Sequence, residues 1–156
     1  MKTYLDRKSV LDAIASVLES TKNQIIDAHL AAGQKASGNA AESFKVIVDY
    51  EGGEVSLVGA RYTGVLEHGR KPGKVPSNME EILLRWAENK GLHFRDAEDA
   101  ERFAKALKWK IINYGTDLFI QNGRNDIYTD KLEAAKSEIA KVATPFFIKE
   151  IQKLIQ

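Results

Sequence analysis

Apolar residues recur at three- and four-residue steps early in the chain: Leu11, Ile14, Leu18, Ile25 and Ala28, with Val10 and Val17 widening the stripe. The intervening positions carry Asp12, Glu19, Lys22, Asn23 and Asp27. This spacing predicts a long amphipathic helix over 5–32. Gly33 is placed to stop it, because glycine takes the left-handed conformation cheaply. Gln34-Lys35-Ala36-Ser37-Gly38-Asn39 is small and polar and reads as a loop. The pattern then changes. Phe44-Lys45-Val46-Ile47-Val48-Asp49-Tyr50 is β-branched and partly alternating, Glu51-Gly52-Gly53-Glu54 is a turn, and Val55–Gly59 returns, which together predict a β-hairpin.

Residues 61–68 read as a short helix or turn. Two prolines and two glycines keep Gly69–Pro76 irregular. Ser77 and Glu80 have the spacing of a capping box. The helix they open should turn Met79, Ile82, Leu83 and Trp86 inward and stop at Gly91. Asp96, with Asp99 three residues on, opens the next helix, with the stripe Phe103, Leu107, Ile111 and Tyr114 and a stop at Gly115. Between Leu118-Phe119-Ile120 and Ile127-Tyr128 stands Asn122-Gly123, a strong short hairpin signal, so 117–129 is expected to form a protruding β-hairpin arm. Asp130–Glu133 opens a last helix with Leu132, Ile139, Val142 and Phe146 on one side. Pro145 is expected to kink or split it. Ile151, Leu154 and Ile155 complete an apolar tail face. A helical N-terminus, an antiparallel hairpin and further helices make an α+β fold. Without repeats or linkers, residues 1–156 read as one domain around one core.

Composition narrows the chemistry. The chain has no cysteine, which excludes disulfides, cysteine-ligated metal and a thiol nucleophile. A net charge of +1 argues against a dedicated nucleic-acid coat. No apolar run reaches the ~18 residues of a membrane span, so no membrane partner is expected. Met1–Lys8 has no apolar core and does not read as a secretory signal.

No catalytic residue, cofactor site or metal site is expected. His29, His68 and His93 read as surface or boundary histidines, since none has a partner at metal-ligand spacing. Glu67 and His68 are adjacent and would point in different directions on a helix. The carboxylates Glu80-Glu81 and Asp96, Glu98, Asp99 and Glu101 lie in first helical turns, where the helix dipole favours negative charge. Gly69–Lys74 fails as a phosphate loop: three residues, not four, separate its glycines, and Val75 stands where a magnesium-holding hydroxyl is needed. The segment is nevertheless basic. Residues 61–74 carry Arg61, Arg70, Lys71 and Lys74 against Glu67 alone, a net +3 with His68 neutral. Leu118, Phe119, Ile120, Ile127, Tyr128, Phe146 and Phe147 are the candidate oligomer or partner interface.

Four segments resemble one family in order and spacing. Ala60-Arg61-Tyr62-Thr63-Gly64-Val65-Leu66-Glu67-His68-Gly69-Arg70-Lys71-Pro72-Gly73 follows a hairpin with a Tyr-x3-Leu/Val-Glu-x-Gly-x-x-Pro pattern. Leu84-Arg85-Trp86-Ala87-Glu88-Asn89-Lys90-Gly91-Leu92 is a short helix with Trp and a Lys-Gly-Leu exit. Phe103-Ala104-Lys105-Ala106-Leu107-Lys108-Trp109-Lys110-Ile111 leads to Gly115-Thr116. Upstream, Ser37–Phe44 is a small, polar lead-in to the first strand. Over roughly 36–116 the chain thus resembles the tail-completion and minor tail (neck, head–tail joining) proteins of tailed bacteriophages. Where that family has a Pro/Arg-rich link before its last helix, this chain has Asn122–Asp126.

The resemblance implies a non-enzymatic structural protein of the virion, made in the host bacterial cytoplasm. It would form a homo-oligomeric ring, a hexamer or dodecamer, at the head–tail junction or tail end. Portal, connector or tail proteins would be its partners. From the charge count alone, not from the resemblance, the basic loop of each copy would face an acidic partner surface or, non-specifically, packaged double-stranded DNA. The alternative reading is a small DNA-binding accessory protein acting through loop 69–74. A hydrolase using His68 with Glu67 ranks below both, because no nucleophile or oxyanion device accompanies the pair.

Overall fold

Nine elements follow one another in the computed structural model, which describes residues 6–34 and 38–155, Leu154 by its main chain alone. They are α1 (Arg7–Ala31), α2 (Asn39–Glu42), β1 (Lys45–Asp49), β2 (Glu54–Val58), α3 (Thr63–His68), α4 (Met79–Asn89), α5 (Ala97–Tyr114), α6 (Asp117–Ile120) and α7 (Thr129–Ile155). The α+β class, the long first helix, the hairpin and the C-terminal helix agree with expectation. The first helix's expected start at Leu5, the loop positions 35–37 and Leu154's place on the tail face lie outside the described residues.

Where one core was expected, the buried residues form two clusters, each in its own compact unit. The first unit comprises Met1–Gly33, Ala41–Ala60 and Asp126–Gln156. Here α1, the hairpin and α7 bury Ile25, Phe44 and Ile127, with Leu57 and Tyr128 packed against them. Helix α1 starts on Asp6, whose carboxylate accepts the Ser9 N–H at 2.7 Å. That bond holds the Asp6 carboxyl below its ordinary pKa. Gly33, at φ +64°, follows its last turn. Strands β1 and β2 pair antiparallel from Lys45↔Val58 to Asp49↔Glu54. Asp49 Oδ1 accepts the N–H groups of Glu51 and Gly52, which closes the turn. Arg7 donates to the Glu51 carbonyl at 3.1 Å, and the Tyr50 hydroxyl donates to Asp12 at 2.6 Å. These bonds tie the hairpin tip to the start of α1.

His29 is not the surface or boundary histidine expected: it is buried in this unit. Its ring nitrogen is hydrogen-bonded to the Tyr128 hydroxyl, and its ring lies edge-on to Tyr128 at 5.2 Å. A buried imidazole with a hydroxyl partner meets the requirement that buried polar groups be satisfied.

The second unit comprises Gln34–Ala40 and Arg61–Asn125. Its core is Met79, Leu83, Ala104 and Ile111, between α4 and α5. Helix α5 opens as expected, with Asp96 accepting the Asp99 N–H at 2.8 Å, and closes on Gly115.

Several details differ from expectation. Asn78, not Ser77, is the N-cap of α4, and no side chain caps it. Glu80 is instead drawn to Lys108 on α5 at 2.8 Å, an ion pair that competes with the reciprocal cap. Ile82 and Trp86 are substantially exposed, because Ala87 takes the inward position beside Met79 and Leu83. Tyr114 is also exposed and packs edge-on against Trp109 at 5.6 Å. On α7, Leu132 is exposed and the small residues Ala135 and Ala143 are buried. The helix is not split at Pro145. Pro145 and Lys141 both lie on its exposed side, so the carbonyl that loses its N–H partner can meet water.

The expected hairpin arm at 117–129 is absent, and α6 occupies its first residues. Thr116 caps that helix, accepting the Phe119 N–H. Asn122 and Gly123 do adopt left-handed backbone, at φ 65° and 72°. They use it to end a helix, with Gly123 N–H donating to the Leu118 carbonyl at 2.8 Å. Asn-Gly offers the same conformation to both motifs, and here it ends the helix that Thr116 caps.

Ile127 is fully buried. Ile127→Ala should therefore lower unfolding stability by about 2–5 kcal/mol in urea titration. The Lys108 ammonium, through its hydrogen bond, holds the Glu80 carboxyl below its ordinary value of 4.5. Its contribution is complete above the unfolded value and is lost as pH falls through the folded one. Melting curves of wild type and Glu80→Gln should differ at pH 7 and converge in acid. A pH-independent gap would refute the pairing.

Candidate functional site

Two of the resembling segments meet in the second unit. Helix α3 ends on Gly69, at φ +72°. The next residue, Arg70, donates its N–H to Thr116 Oγ1, and its carbonyl accepts the Thr116 N–H, both at 2.9 Å. The Gly73 N–H reaches the Ile112 carbonyl at 2.9 Å. Residues 46 apart in sequence thus clasp main chain to main chain.

The clasp requires its glycines. A Cβ on Gly69 would lie 2.3 Å from the Phe119 nitrogen and 2.6 Å from Thr116 Oγ1. One on Gly115 would lie 2.5 Å from the Arg70 carbonyl oxygen. A third bond, from the Arg124 N–H to the Glu67 carbonyl at 2.9 Å, fastens the segment after α6 to α3.

Around the clasp the structure joins two features that the sequence lists apart. The basic loop and Phe119-Ile120 line one cavity of about 890 Å³, together with Val65, His68 and Asn122. Lys71 and Lys74 are exposed there. Arg70 is not a free surface charge. It is half-buried, its Nη2 donates to the Lys74 carbonyl at 2.8 Å, and its Nε is buried without a hydrogen-bond partner. Its first task is to hold the loop's shape. Arg61 is exposed outside this cavity.

A second cavity of about 740 Å³ lies among α3, α4 and α5. Tyr62, Val65, Ile82, Trp86, Leu107 and Ile111 give it an apolar lining, with Arg70, Lys110 and Asp117 as polar members. Lys110 is paired with Asp117 at 2.5 Å. Sequence reasoning placed Ile82 and Trp86 in the core and so missed this surface. The signal for it was the width of the α4 stripe, which carries more apolar residues than one facing helix covers.

The remaining candidates are dispersed. Leu118 is half-buried in the second unit. Ile127 belongs to the first unit's core, and Tyr128 is half-buried beside it. On α7, Phe146 is half-buried and Phe147 is exposed. Glu67 is buried and His68 exposed, yet the two side chains, expected to point apart, bring His68 Nε2 within 3.7 Å of Glu67 Oε2. Glu98 and Asp99 pair with Arg102 in the first turns of α5. Among the described residues, no three His, Cys, Asp or Glu side chains converge to hold a metal ion. No helix among them is long and apolar enough to cross a membrane. No family model, curated protein or solved structure matches the chain.

The clasp geometry sets the next expectation. Gly69→Ala should cost at least about 2 kcal/mol, because it adds both a close clash and left-handed strain. Gly91→Ala, at φ +71° with nothing near its Cβ, should cost only the strain of about 1 kcal/mol. Equal thermal shifts for the two would show that the clasp is not tightly packed.

Proposed function

We propose that this chain is a self-assembling structural subunit of a tailed-bacteriophage particle. It is of the head–tail joining or tail-completion kind and works without catalysis as a homo-oligomeric ring. The observation that carries the reading is the clasp. The Glu-x-Gly-x-x-Pro segment and the Gly-Thr segment, quoted separately for the resemblance, are two halves of one packed junction. A junction of this kind gives a physical reason for both glycines and the threonine to occur together.

Surface chemistry supports the same reading. Exposed apolar residues on α4, α6 and α7 are what a subunit that buries surface against neighbours carries. A near-neutral chain can pack against copies of itself without strong mutual repulsion. Identical subunits that repeat one heterologous contact close into a ring. Lys71 and Lys74, repeated in each copy, would form a collar of positive charge for packaged DNA or an acidic portal or tail protein. The subunit would be made in the bacterial cytoplasm and end in the virion.

Native mass spectrometry of the purified chain from low to high micromolar concentration tests the reading. A discrete closed oligomer is expected. A chain that stays monomeric throughout and binds DNA with steep salt dependence would instead support the accessory DNA-binding reading.

A further inference from the structure

Unneutralised positive charge and open apolar surface share the cavity of about 890 Å³ beside the clasp. Lys71 and Lys74 line it and are exposed. Among the described residues neither ammonium is in an ion pair, whereas Lys105, Lys108 and Lys110 of α5 each are. The Arg70 guanidinium has no carboxylate partner there either, and its Nε lacks an acceptor. No Asp or Glu side chain lines the cavity. The rest of its lining includes an apolar part, where Val65, Phe119 and Ile120 are 39–52% exposed. The loop that carries the charges is already held in shape. Its Gly73 N–H is on the Ile112 carbonyl, and Arg70 Nη2 is on the Lys74 carbonyl. A site set in advance loses less ordering free energy on binding.

We infer that this cavity binds a short acidic segment of a different protein, with a carboxylate at Lys71 and Lys74 and an apolar side chain against Val65, Phe119 and Ile120. This rests on the partner part of the reading above and selects an acidic protein over DNA. The two-part chemistry of the cavity makes the selection. A DNA duplex presents phosphates on a convex, polar backbone. It would satisfy the ammonium groups and leave the apolar part in water. A peptide carries carboxylate and apolar side chains on neighbouring residues and covers both. The acidic helix starts of a second copy do not supply the anion, because they are neutralised on their own chain. Glu80 is paired with Lys108, Asp96 with Arg95, Glu98 and Asp99 with Arg102, and Glu101 with Lys105. The contact is small, so it is weak and sensitive to salt.

Fluorescence anisotropy with the full-length chain at low salt tests the site with four labelled probes. The first is a short peptide alternating glutamate and leucine. The second replaces its leucines by serine, the third replaces its glutamates by glutamine, and the fourth is a short DNA duplex. The first is expected to bind about tenfold tighter than each of the others. Lys71→Glu together with Lys74→Glu should abolish its binding, and Ile120→Ser should weaken it about fivefold. These side chains are exposed, so both variants should melt near the wild-type temperature. Arg61→Glu makes the same charge change at an exposed position outside the cavity and should bind like wild type.

Equal binding of the leucine and serine peptides would mean that charge acts without the apolar part, and would overturn the inference. So would tighter binding of the duplex, or an Arg61→Glu loss as large as that of the double lysine variant. A closed oligomer by native mass that binds none of the probes would remove this site and leave the assembly reading standing.

Discussion

Main chain lies directly against main chain where Gly69-Arg70 meets Gly115-Thr116, and the second unit is organised around that approach. The distances leave no room for a methyl group on either glycine. Thr116 serves the junction three times: its hydroxyl accepts from Arg70 and from Phe119, and its N–H donates to the Arg70 carbonyl. One residue therefore holds the start of the loop after α3 and caps α6. It fixes Arg70, at the start of the basic loop, beside Phe119 at the start of α6. Arg70 extends the effect by bonding the Lys74 carbonyl, which leaves Lys71 and Lys74 as the loop's outward charges.

The first unit is held by different means. Its core is small, and polar contacts reinforce it: Arg7 and Asp12 on α1 grip the hairpin turn, and the His29–Tyr128 bond lies beside Phe44. On helix α7 Ala143 is buried and Phe146 half-buried, while Phe147, Ile148, Ile151 and Ile155 are exposed. Apolar surface left in water carries a free-energy cost that burial against another apolar surface would offset. Both units thus present apolar surface outward, which gives the assembly reading a physical basis independent of any family resemblance.

Much of the fold was legible because local signals agreed with tertiary demands. The α1 stripe and Gly33, the Gly52-Gly53 turn and the Asp96 cap were all confirmed. The errors arose where a local signal served two structures. Asn122-Gly123 supplies left-handed backbone to a hairpin or to a helix stop, and in this fold it ends α6. Ser77 and Glu80 have capping-box spacing, but Glu80 pairs with Lys108 of α5 instead. Apolar residues at helical spacing also do not reveal how wide the covering surface is, which is why Ile82, Trp86, Tyr114 and Leu132 were placed too deep. The basic loop and Leu118-Phe119-Ile120 were each visible as candidates. Their shared cavity was not, because it depends on a contact between Arg70 and Thr116, 46 residues apart.

The central claim is that this chain builds a closed assembly from copies of itself. Electron microscopy of the purified, unmodified chain at micromolar concentration tests it most directly. Uniform rings with a central opening and a single subunit count are expected. A field of isolated subunits, or open filaments of indefinite length with no closed form, would contradict it.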